Sequence, residues 1–320
     1  MQKSAWLISL LTGLVLGGLL TFLIVRSPDP ADTTVDIGHV PAPSIAAPER
    51  FQIETCQTKE HDALSVASPC LLIQAGGKRL LFGAPLSVDW TAIGPLDAVF
   101  LFDGTPASSG GLIGLRYETW FDGRKRPLLL VSGALYLETV RALDEALYLP
   151  DAISQVEYPN RLDSRQAGFA EKPVPGAERD VLVFNTGDVQ VFANAGTNRT
   201  GDEILSFRMD YAGKRLDIFS CDSRALLFEG PADAVYLPAM DRARLTDMRN
   251  TATEQRLTAR LMDIEKLGRS CPSPRQASEF VLRTGASDWI APADIGTTER
   301  TGEASLNAHS LRNGAVVLHE

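Results

Sequence analysis

The chain has 320 residues, of which 44% are hydrophobic and 22% are charged, a composition typical of a folded protein and too apolar for a disordered one. Its formal net charge is −9 and its pI is about 5.1, with no large cluster of basic residues. Nucleic-acid phosphates are bound by clustered Lys and Arg side chains, so nucleic acid is excluded as the partner. The length allows one large domain or two small ones.

The first predicted element is a membrane anchor. Ala5 to Val25 form a run of 21 residues without a charged side chain. A helix that spans a bilayer needs about 20 apolar residues, whereas the core of a cleaved signal peptide has about 7–15. The run is followed by Arg26 without a clear cleavage site, so we predict that residues 1–25 are a short tail and a transmembrane helix. A removed signal peptide is the alternative interpretation.

The anchor also predicts a location and a mode of association. A short N-terminal tail normally stays inside, which indicates a single-pass protein of the inner (cytoplasmic) membrane with its C-terminal domain on the periplasmic or extracellular side. Gly13 and Gly17 have the spacing that lets two spanning helices approach closely, which would permit a homodimer. Glycine is also common in spanning helices without that role.

After the anchor, residues 26–50 are rich in Pro, Ala, Asp and Thr, which predicts a flexible tether. Strands are then predicted at 51–56, 70–75, 79–82, 97–102 and 127–131, with helical segments at 110–116 and 135–147. Residues 150–180 have little periodic signal and are predicted as a loop. A second block of strands is predicted at 180–184, 189–193, 204–210, 215–220 and 234–237, followed by a helix at 251–267 and a strand at 280–284.

Two successive blocks of strands, each followed by helix, favour an α/β (α+β) domain over residues 51–290. Its architecture is predicted as a four-layer αββα sandwich, with two sheets packed together and helices outside. Residues 291–320 are predicted as a partly disordered tail, in which 315–318 would add a late edge strand. The short basic stretch from Arg124 to Arg126 is interpreted as a solvated turn rather than a lipid contact.

The chain has four cysteines, an even number that suits an exported domain in an oxidising compartment. Cys56 and Cys70 are predicted on two neighbouring strands, so a disulfide across that hairpin fits the pattern. Spacing alone does not fix the connectivity, because four cysteines allow three pairings.

Five segments of the sequence resemble the metallo-β-lactamase superfamily, over a region from Phe51 to Trp289. They are Cys70–Gly83, Leu96–Leu115, Asp210–Asp222, Ala232–Leu237 and Cys271–Arg275. The resemblance implies the four-layer sandwich. It also implies a loop at a strand end where a His-x-His-x-Asp-His motif would hold one or two zinc ions that generate hydroxide.

The zinc motif itself is replaced in this chain. At the motif's successive ligand positions, and at those of the family's later ligands, stand Asp103, Thr105, Ala107, Ser108, Asn194, Ala195, Asp222 and Cys271. Only the bridging aspartate persists, as Asp222. The chain's four histidines, His39, His61, His309 and His319, include no pair at ligand spacing. The sequence therefore predicts no catalytic residue, no zinc and no other cofactor, with the eight positions forming a remnant pocket.

Two other interpretations of the same residues stay open. Asp103, Asp222 and Cys271 could form a rebuilt zinc site, since carboxylate and thiolate both bind zinc. The opposing interpretation is that they serve ordinary turns, and that Cys271 forms a disulfide with Cys221, because the family places their two loops on one rim. Ser108 resembles a nucleophile only by its position, since no histidine is placed as its base.

The prediction for function is a membrane-anchored, catalytically inactive ectodomain with a binding or scaffolding role. Its partner would be the membrane through residues 5–25 and a protein or small molecule that the sequence does not identify. One alternative is an active metallo-hydrolase with the rebuilt site. The other is an envelope assembly or interaction factor that acts through Gly13 and Gly17.

Overall fold

The structure, a computed structural model, describes residues 51–56, 70–292, 306–311 and 315–318. The predicted anchor, the tether and three of the four histidines, His39, His61 and His319, lie outside the described residues. Within the described ranges, no helix combines the length and the apolar character that crossing a bilayer requires.

In the described part of the chain, fourteen strands form two sheets of seven strands each. The first sheet has the order β14-β1-β2-β3-β4-β5-β6 and the second has the order β13-β12-β11-β10-β9-β8-β7. The first sheet contains β1 (Phe51–Thr55), β2 (Leu71–Ala75), β3 (Lys78–Phe82), β4 (Ala98–Phe100), β5 (Leu128–Gly133), β6 (Phe169–Val174) and β14 (Val316–Leu318). The second contains β7 (Val181–Asn185), β8 (Val189–Thr197), β9 (Glu203–Tyr211), β10 (Lys214–Ile218), β11 (Ala234–Tyr236), β12 (Asp288–Ala291) and β13 (Asn307–Ser310).

Both sheets share one internal plan. In the first sheet β14, β1, β2 and β3 pair antiparallel, and β3 to β6 pair parallel. In the second sheet β7 to β10 pair antiparallel, and β10 to β13 pair parallel. Parallel neighbours need crossover connections, so helices must cover the sheet faces. The described helices are α1 (Pro106–Ser109), α2 (Leu112–Phe121), α3 (Leu137–Glu157), α4 (Arg242–Glu254), α5 (Thr258–Ser270) and α6 (Pro274–Arg283).

The buried side chains confirm the four predicted layers. Alternate strand residues such as Leu80 and Phe82 pack in the core between the two sheets. The intervening Leu81 packs in a second cluster together with Leu115 of α2. A third cluster joins the outer face of the second sheet to Phe280 of α6. Strands buried on both faces explain the nearly continuous apolar sequence before Asp103.

Both predicted disulfides are present. Cys56 bonds to Cys70 across the β1–β2 hairpin with a Cα–Cα distance of 5.4 Å. Cys221 bonds to Cys271 with a Cα–Cα distance of 4.5 Å, which joins the segment after β10 to the end of α5. No cysteine among the described residues is free.

Several element predictions were wrong, each for a local reason. Residues 280–283 belong to α6, and Thr284 is its C-cap. The start of this helix is fixed by a capping box between Ser273 and Gln276, with Pro274 at the first helical position. The predicted helix at 251–267 is divided between α4 and α5, because Arg256 between them has φ 55°. In the tail the edge strand predicted at 315–318 is confirmed as β14, and the segment 307–310 adds the strand β13, which was not predicted.

The predicted loop at 150–180 contains the end of α3 and strand β6. The strand reads FAEKPV, and its polar residues and Pro173 hide it from pattern analysis. Proline is tolerated there because β6 is an edge strand. No strand lies on its outer side, so a backbone N–H is not needed there for a hydrogen bond to a neighbouring strand.

The hydroxyl of Tyr236 at the end of β11 is one of three buried side-chain polar atoms without a hydrogen-bond partner among the described residues. The side chain is fully buried, and burial raises the pKa of its phenol. A buried hydroxyl without a hydrogen bond costs about 1–3 kcal/mol. We therefore expect Tyr236→Phe to raise the free energy of unfolding by about 1 kcal/mol, measured by chemical denaturation. Tyr136→Phe is the matched control, because its hydroxyl donates to Ser109, and it should destabilise; a loss of stability in Tyr236→Phe would contradict the assignment.

Candidate functional site

The predicted site residues lie where the parallel strands end. We define the rim as residues 103–111, 133–136, 194–196, 221–229 and 270–273. The two sheets meet there, because Asp103 forms an isolated antiparallel bridge with Ile204 at the start of β9. The Leu205 N–H also donates to the Phe102 carbonyl at 2.7 Å. The loop after β4 is thereby fixed to the second sheet.

Asp103 organises the turn that begins α1. Its carboxylate accepts hydrogen bonds from the backbone N–H of Thr105 at 2.8 Å and from the Thr105 hydroxyl at 2.6 Å. This is a local turn in which an aspartate bonds to the residue two positions on. The Thr105 hydroxyl and one carboxylate oxygen are therefore used inside the loop.

The next residues of the same loop face inward or carry no ligand atom. Ser108 is buried, and its hydroxyl lies 3.4 Å from the Asp103 N–H that donates to it. Ser109 donates its hydroxyl to the Thr105 carbonyl at 3.0 Å and accepts from the Tyr136 hydroxyl at 2.8 Å. Ala107 is exposed and has only a methyl side chain. No base for a serine nucleophile accompanies these hydroxyls in the described loop.

The ring of Tyr136 packs against Gly104 in the loop after β4. A Cβ added at Gly104 would lie 2.5 Å from Cδ2 of the Tyr136 ring, so only glycine fits beneath it. The neighbouring Leu135 N–H donates to Glu203 at 2.9 Å. The turn after β5 is thus held against both the β4 loop and the second sheet.

The loop after β10 is fastened over β8 and β9 by buried side chains. Asn194 is fully buried, and its side-chain nitrogen donates to the carbonyls of Leu226 at 3.3 Å and Leu227 at 2.9 Å. Its side-chain oxygen accepts from the Asp180 N–H at 2.6 Å. The Ser206 hydroxyl adds a bond to the Leu226 carbonyl at 2.7 Å. Asn194 therefore has a structural role in holding this loop.

Leu226 fills the space beside these residues. A Cβ added at Gly196 would lie 2.6 Å from Cδ2 of Leu226, which is itself buried. Ala195 is also buried, and its N–H donates to the Glu178 carbonyl at 2.9 Å. This part of the rim is filled by protein rather than open.

Asp222 and Cys271 lie together at the other side of the rim. Cys271 is bonded to Cys221, so its sulfur is not a thiolate in the oxidised protein. Asp222 precedes the 3₁₀ turn Ser223–Ala225, is partly exposed, and makes no capping hydrogen bond. Arg224 donates to the Cys221 carbonyl at 3.0 Å and to the Ser270 carbonyl at 2.8 Å, which ties the two bridged segments together.

The pKa of Asp103 depends on its burial and on the charges around it. Burial raises the pKa of Asp103, and the negative charge of Asp222 raises it further. The hydrogen bonds from Thr105 and the positive charge of Lys266 oppose the rise without cancelling it. Lys266 of α5 was missed by the sequence analysis, since an exposed lysine on a helix carries no signal of what it faces.

The direction of this shift gives a prediction for Asp103→Asn. A carboxyl whose pKa is raised by folding stabilises the fold at acid pH, and this contribution is lost as the pH rises from its unfolded pKa through its folded pKa. Asparagine keeps an oxygen that accepts from Thr105 but carries no charge. We expect the variant to be at least as stable as the parent at neutral pH. Its free energy of unfolding should fall less than that of the parent as the pH rises above ~4.

Denaturation midpoints measured across this pH range check the prediction. Asp163→Asn is the matched control, because hydrogen bonds from Arg165 lower the pKa of Asp163 and the sign is reversed. If Asp103→Asn were clearly less stable than the parent at neutral pH, the carboxylate charge would be needed at the rim and the interpretation would be wrong.

The donor set of the rim does not match a zinc site. Zinc sites use three or four protein ligands from cysteine, histidine and carboxylate side chains. The matching positions offer two carboxylates, Asp103 and Asp222, and Cys271 is bridged to another cysteine. Among the described residues no group of three or more His, Cys, Asp or Glu side chains is arranged to hold a metal ion.

A cleft lies at the opposite end of the second sheet. Its volume is about 500 Å³, and it is lined by the β9–β10 turn and the starts of β10, β11 and β12. Its charged residues are paired, Arg215 with Asp210 at 3.9 Å and Lys214 with Asp233 at 3.7 Å. None of the residues that line the cleft is a predicted site residue, so the cleft is separate from the rim.

The architecture identifies the fold. Two mixed sheets face each other, each antiparallel on one side and parallel on the other, with helices on both outer faces. This is the αββα arrangement that the sequence resemblance to metallo-β-lactamases implied. His309, which was predicted in the tail, lies on β13 of this fold with its Nε2 2.8 Å from Asp288.

Several solved structures with the metallo-β-lactamase fold are similar to the chain. The short form of human tRNase Z is 12% identical, with a TM-score of 0.44, over 75% of this chain and 91% of that one. The metallo-β-lactamase fold protein YhfI from Bacillus subtilis is 12% identical, with a TM-score of 0.44, over 75% and 85%. A diphosphatase of the PhnP family is 11% identical, with a TM-score of 0.42, over 75% and 85%. At such identities and TM-scores we transfer no residue role or activity.

No protein-family model matches the sequence. No curated protein matches it either. The assignment of fold therefore depends on the order of the strands and the four layers.

Proposed function

We propose that the chain is a membrane-anchored ectodomain that uses the metallo-β-lactamase scaffold for binding or scaffolding and does not hydrolyse substrates. The observation that carries the proposal is the use of the rim by internal contacts. Asp103 bonds to Thr105, and Cys271 is bridged to Cys221. Leu226 fills the rim beside Asn194. A hydrolase of this fold would need these positions free to hold a metal and water.

The sequence and the disulfides support the proposed location. The uncharged run at residues 5–25 would hold the chain in the inner membrane, and the tether at residues 26–50 would carry the domain. Two disulfides suit a periplasmic or extracellular domain, because thiols are kept reduced in the cytosol. The partner would be a protein or small molecule that binds outside the filled rim.

The two alternatives are less well supported. An active hydrolase with a site built from Asp103, Asp222 and Cys271 requires a thiolate, and the Cys221–Cys271 disulfide removes it. An envelope assembly factor acting through Gly13 and Gly17 depends on residues outside the described ranges.

Hydrolysis assays test the proposal. The full chain would be supplied with zinc, manganese or iron(II) and with chromogenic β-lactam, phosphodiester and thioester substrates. We expect rates equal to those of the matched variant Asp222→Asn and of buffer with metal. Activity that depends on added metal, is lost with a chelator and disappears in Asp222→Asn would overturn the proposal.

A further inference from the structure

The second half of α3 has its polar and apolar faces reversed. Asp151 points inward and is 4% exposed, bound to Arg116 of α2. On the outer side Leu149, Ile153 and Val156 are 65%, 51% and 80% exposed. These three residues are spaced by four and three positions and so share one face of the helix. An amphipathic helix normally places such a face against the core.

The same half of the helix extends beyond the first sheet. Asp144 accepts a hydrogen bond from the N–H of Phe169 at 2.9 Å, and Phe169 is the first residue of β6. At Asp144 the helix has therefore already reached the end of the sheet where the parallel strands begin. Residues 145–157 continue past that point by roughly 20 Å at 1.5 Å per residue.

The chain enters the domain at this same end. Gln52 near the start of β1 pairs with Gln74, which lies next to the turn from β2 into β3. Lys78 starts β3, and β3 pairs parallel with β4, so the start of β1 lies at the end of the sheet where the parallel strands begin. The rim with Asp103 lies at the other end of the strands. Phe51 is thus at the end of the sheet from which α3 projects, and 25 residues of tether join it to the uncharged run at 5–25. The tether predicted from the sequence would have an r.m.s. span of about 25–30 Å at that length.

Three exposed cations lie in the segments next to the projecting helix, although the whole chain is acidic. Lys125 and Arg126 lie between α2 and the start of β5, and Arg161 follows the end of α3. All three are exposed and have no ion-pair partner among the described residues. The exposed acids of the same region are Asp122, Glu157 and Glu145, and Glu145 lies on α3 one turn before Leu149. Arg124 of this stretch is not solvated as predicted, since its guanidinium donates to backbone carbonyls including that of Ala167 at 2.7 Å.

We propose that the outer face of residues 148–156 lies in the bilayer surface, with Lys125, Arg126 and Arg161 on anionic headgroups. This proposal rests on the membrane anchoring of the proposed function and adds a second, reversible contact to it. The apolar face, the exposed Tyr148 and the adjacent cations form the pattern of an interfacial helix. The rim lies at the other end of the strands and then faces away from the membrane.

Site-directed fluorescence on the full chain tests the proposal. The described cysteines are all paired, so a single added cysteine can be labelled without reduction. Val156→Cys would carry an environment-sensitive fluorophore, with Ala107→Cys on the rim as the matched exposed control. The protein would be reconstituted in vesicles of equal parts phosphatidylcholine and phosphatidylglycerol that contain a lipid-borne quencher.

We expect severalfold stronger quenching at Val156→Cys than at Ala107→Cys. Leu149→Glu combined with Ile153→Glu should abolish the difference while the protein still floats with vesicles. Lys125→Gln combined with Arg126→Gln should weaken the quenching on these vesicles but not on vesicles of phosphatidylcholine alone.

Three results would overturn the proposal. Flotation without quenching at position 156 would leave the anchor in place but remove the helix contact. A blue-shifted fluorophore that no lipid quencher reaches, and that reverts on dilution, would assign the face to a second copy of the chain. Failure to float at all would contradict both the anchor and the helix contact.

Discussion

Arg116→Met is expected to lower the free energy of unfolding by about 3–5 kcal/mol, because it leaves two carboxylates at the α2–α3 interface without their cation. The side chain of Arg116 is 2% exposed, and its guanidinium donates hydrogen bonds to both carboxylate oxygens of Asp151 at 2.9 and 2.6 Å. Its Nε also bonds to Asp144 at 2.9 Å. The Asp151 side chain is 5% exposed, so water cannot replace the lost partner.

Arg141→Met is the matched control, since it removes the same charge from the neighbouring surface of α3. Arg141 is 56% exposed and pairs with Glu138 and Glu171, so we expect a loss below about 1 kcal/mol. Denaturant titrations followed by fluorescence would compare the two variants. Equal losses would contradict a structural role of the buried network. Recovery in the triple variant Arg116→Met, Asp144→Asn, Asp151→Leu would show that the unpaired charges cause the loss.

Replacing Cys221 and Cys271 together by serine is expected to cost about 4 kcal/mol, since the disulfide closes a loop of 50 residues in the unfolded chain. The matched pair is Cys56 and Cys70, separated by 14 residues, for which the same reasoning gives about 3 kcal/mol. The stability of each double variant, measured by urea denaturation without reductant, checks both values.

Removal of the Cys221–Cys271 bridge should also loosen the rim. Arg224 would keep its bonds to the Cys221 and Ser270 carbonyls, but the covalent link between their segments would be gone. We expect faster hydrogen exchange at residues 221–229 in this variant and not in the Cys56–Cys70 variant. Titratable thiols in the unfolded, non-reduced parent protein would contradict the pairing itself.

The sequence predicted those parts of the fold that are recorded in local patterns. The apolar run before Asp103 and the glycine turn at Gly76 were sufficient to place β4 and the β2–β3 hairpin, because periodicity and turn chemistry act over a few residues. Strand β6 was missed, since its polar sequence fits only an edge position that the rest of the sheet defines. The α6 helix had a readable capping signal at Ser273, which the apolar residues from Phe280 onward obscured.

The candidate site could be predicted as a set of positions but not as a set of contacts. The resemblance assigned Asp103, Asn194 and Cys271 to one rim, and the structure shows the local contacts of each side chain. What each side chain does depends on atoms far along the chain, such as the Leu226 carbonyl that Asn194 binds at a separation of 32 residues. The reversed face of α3 was hidden for the same reason, because the inward aspartates are explained only by Arg116.

The metal content of the rim tests the central claim most directly. The full chain, purified without chelator and then dialysed against zinc, would be measured by elemental analysis beside the variant Asp103→Asn, Asp222→Asn. We expect zinc, iron and manganese each well below one ion per chain, with no difference between parent and variant. A full equivalent of metal that is present in the parent and absent in the variant would contradict the account.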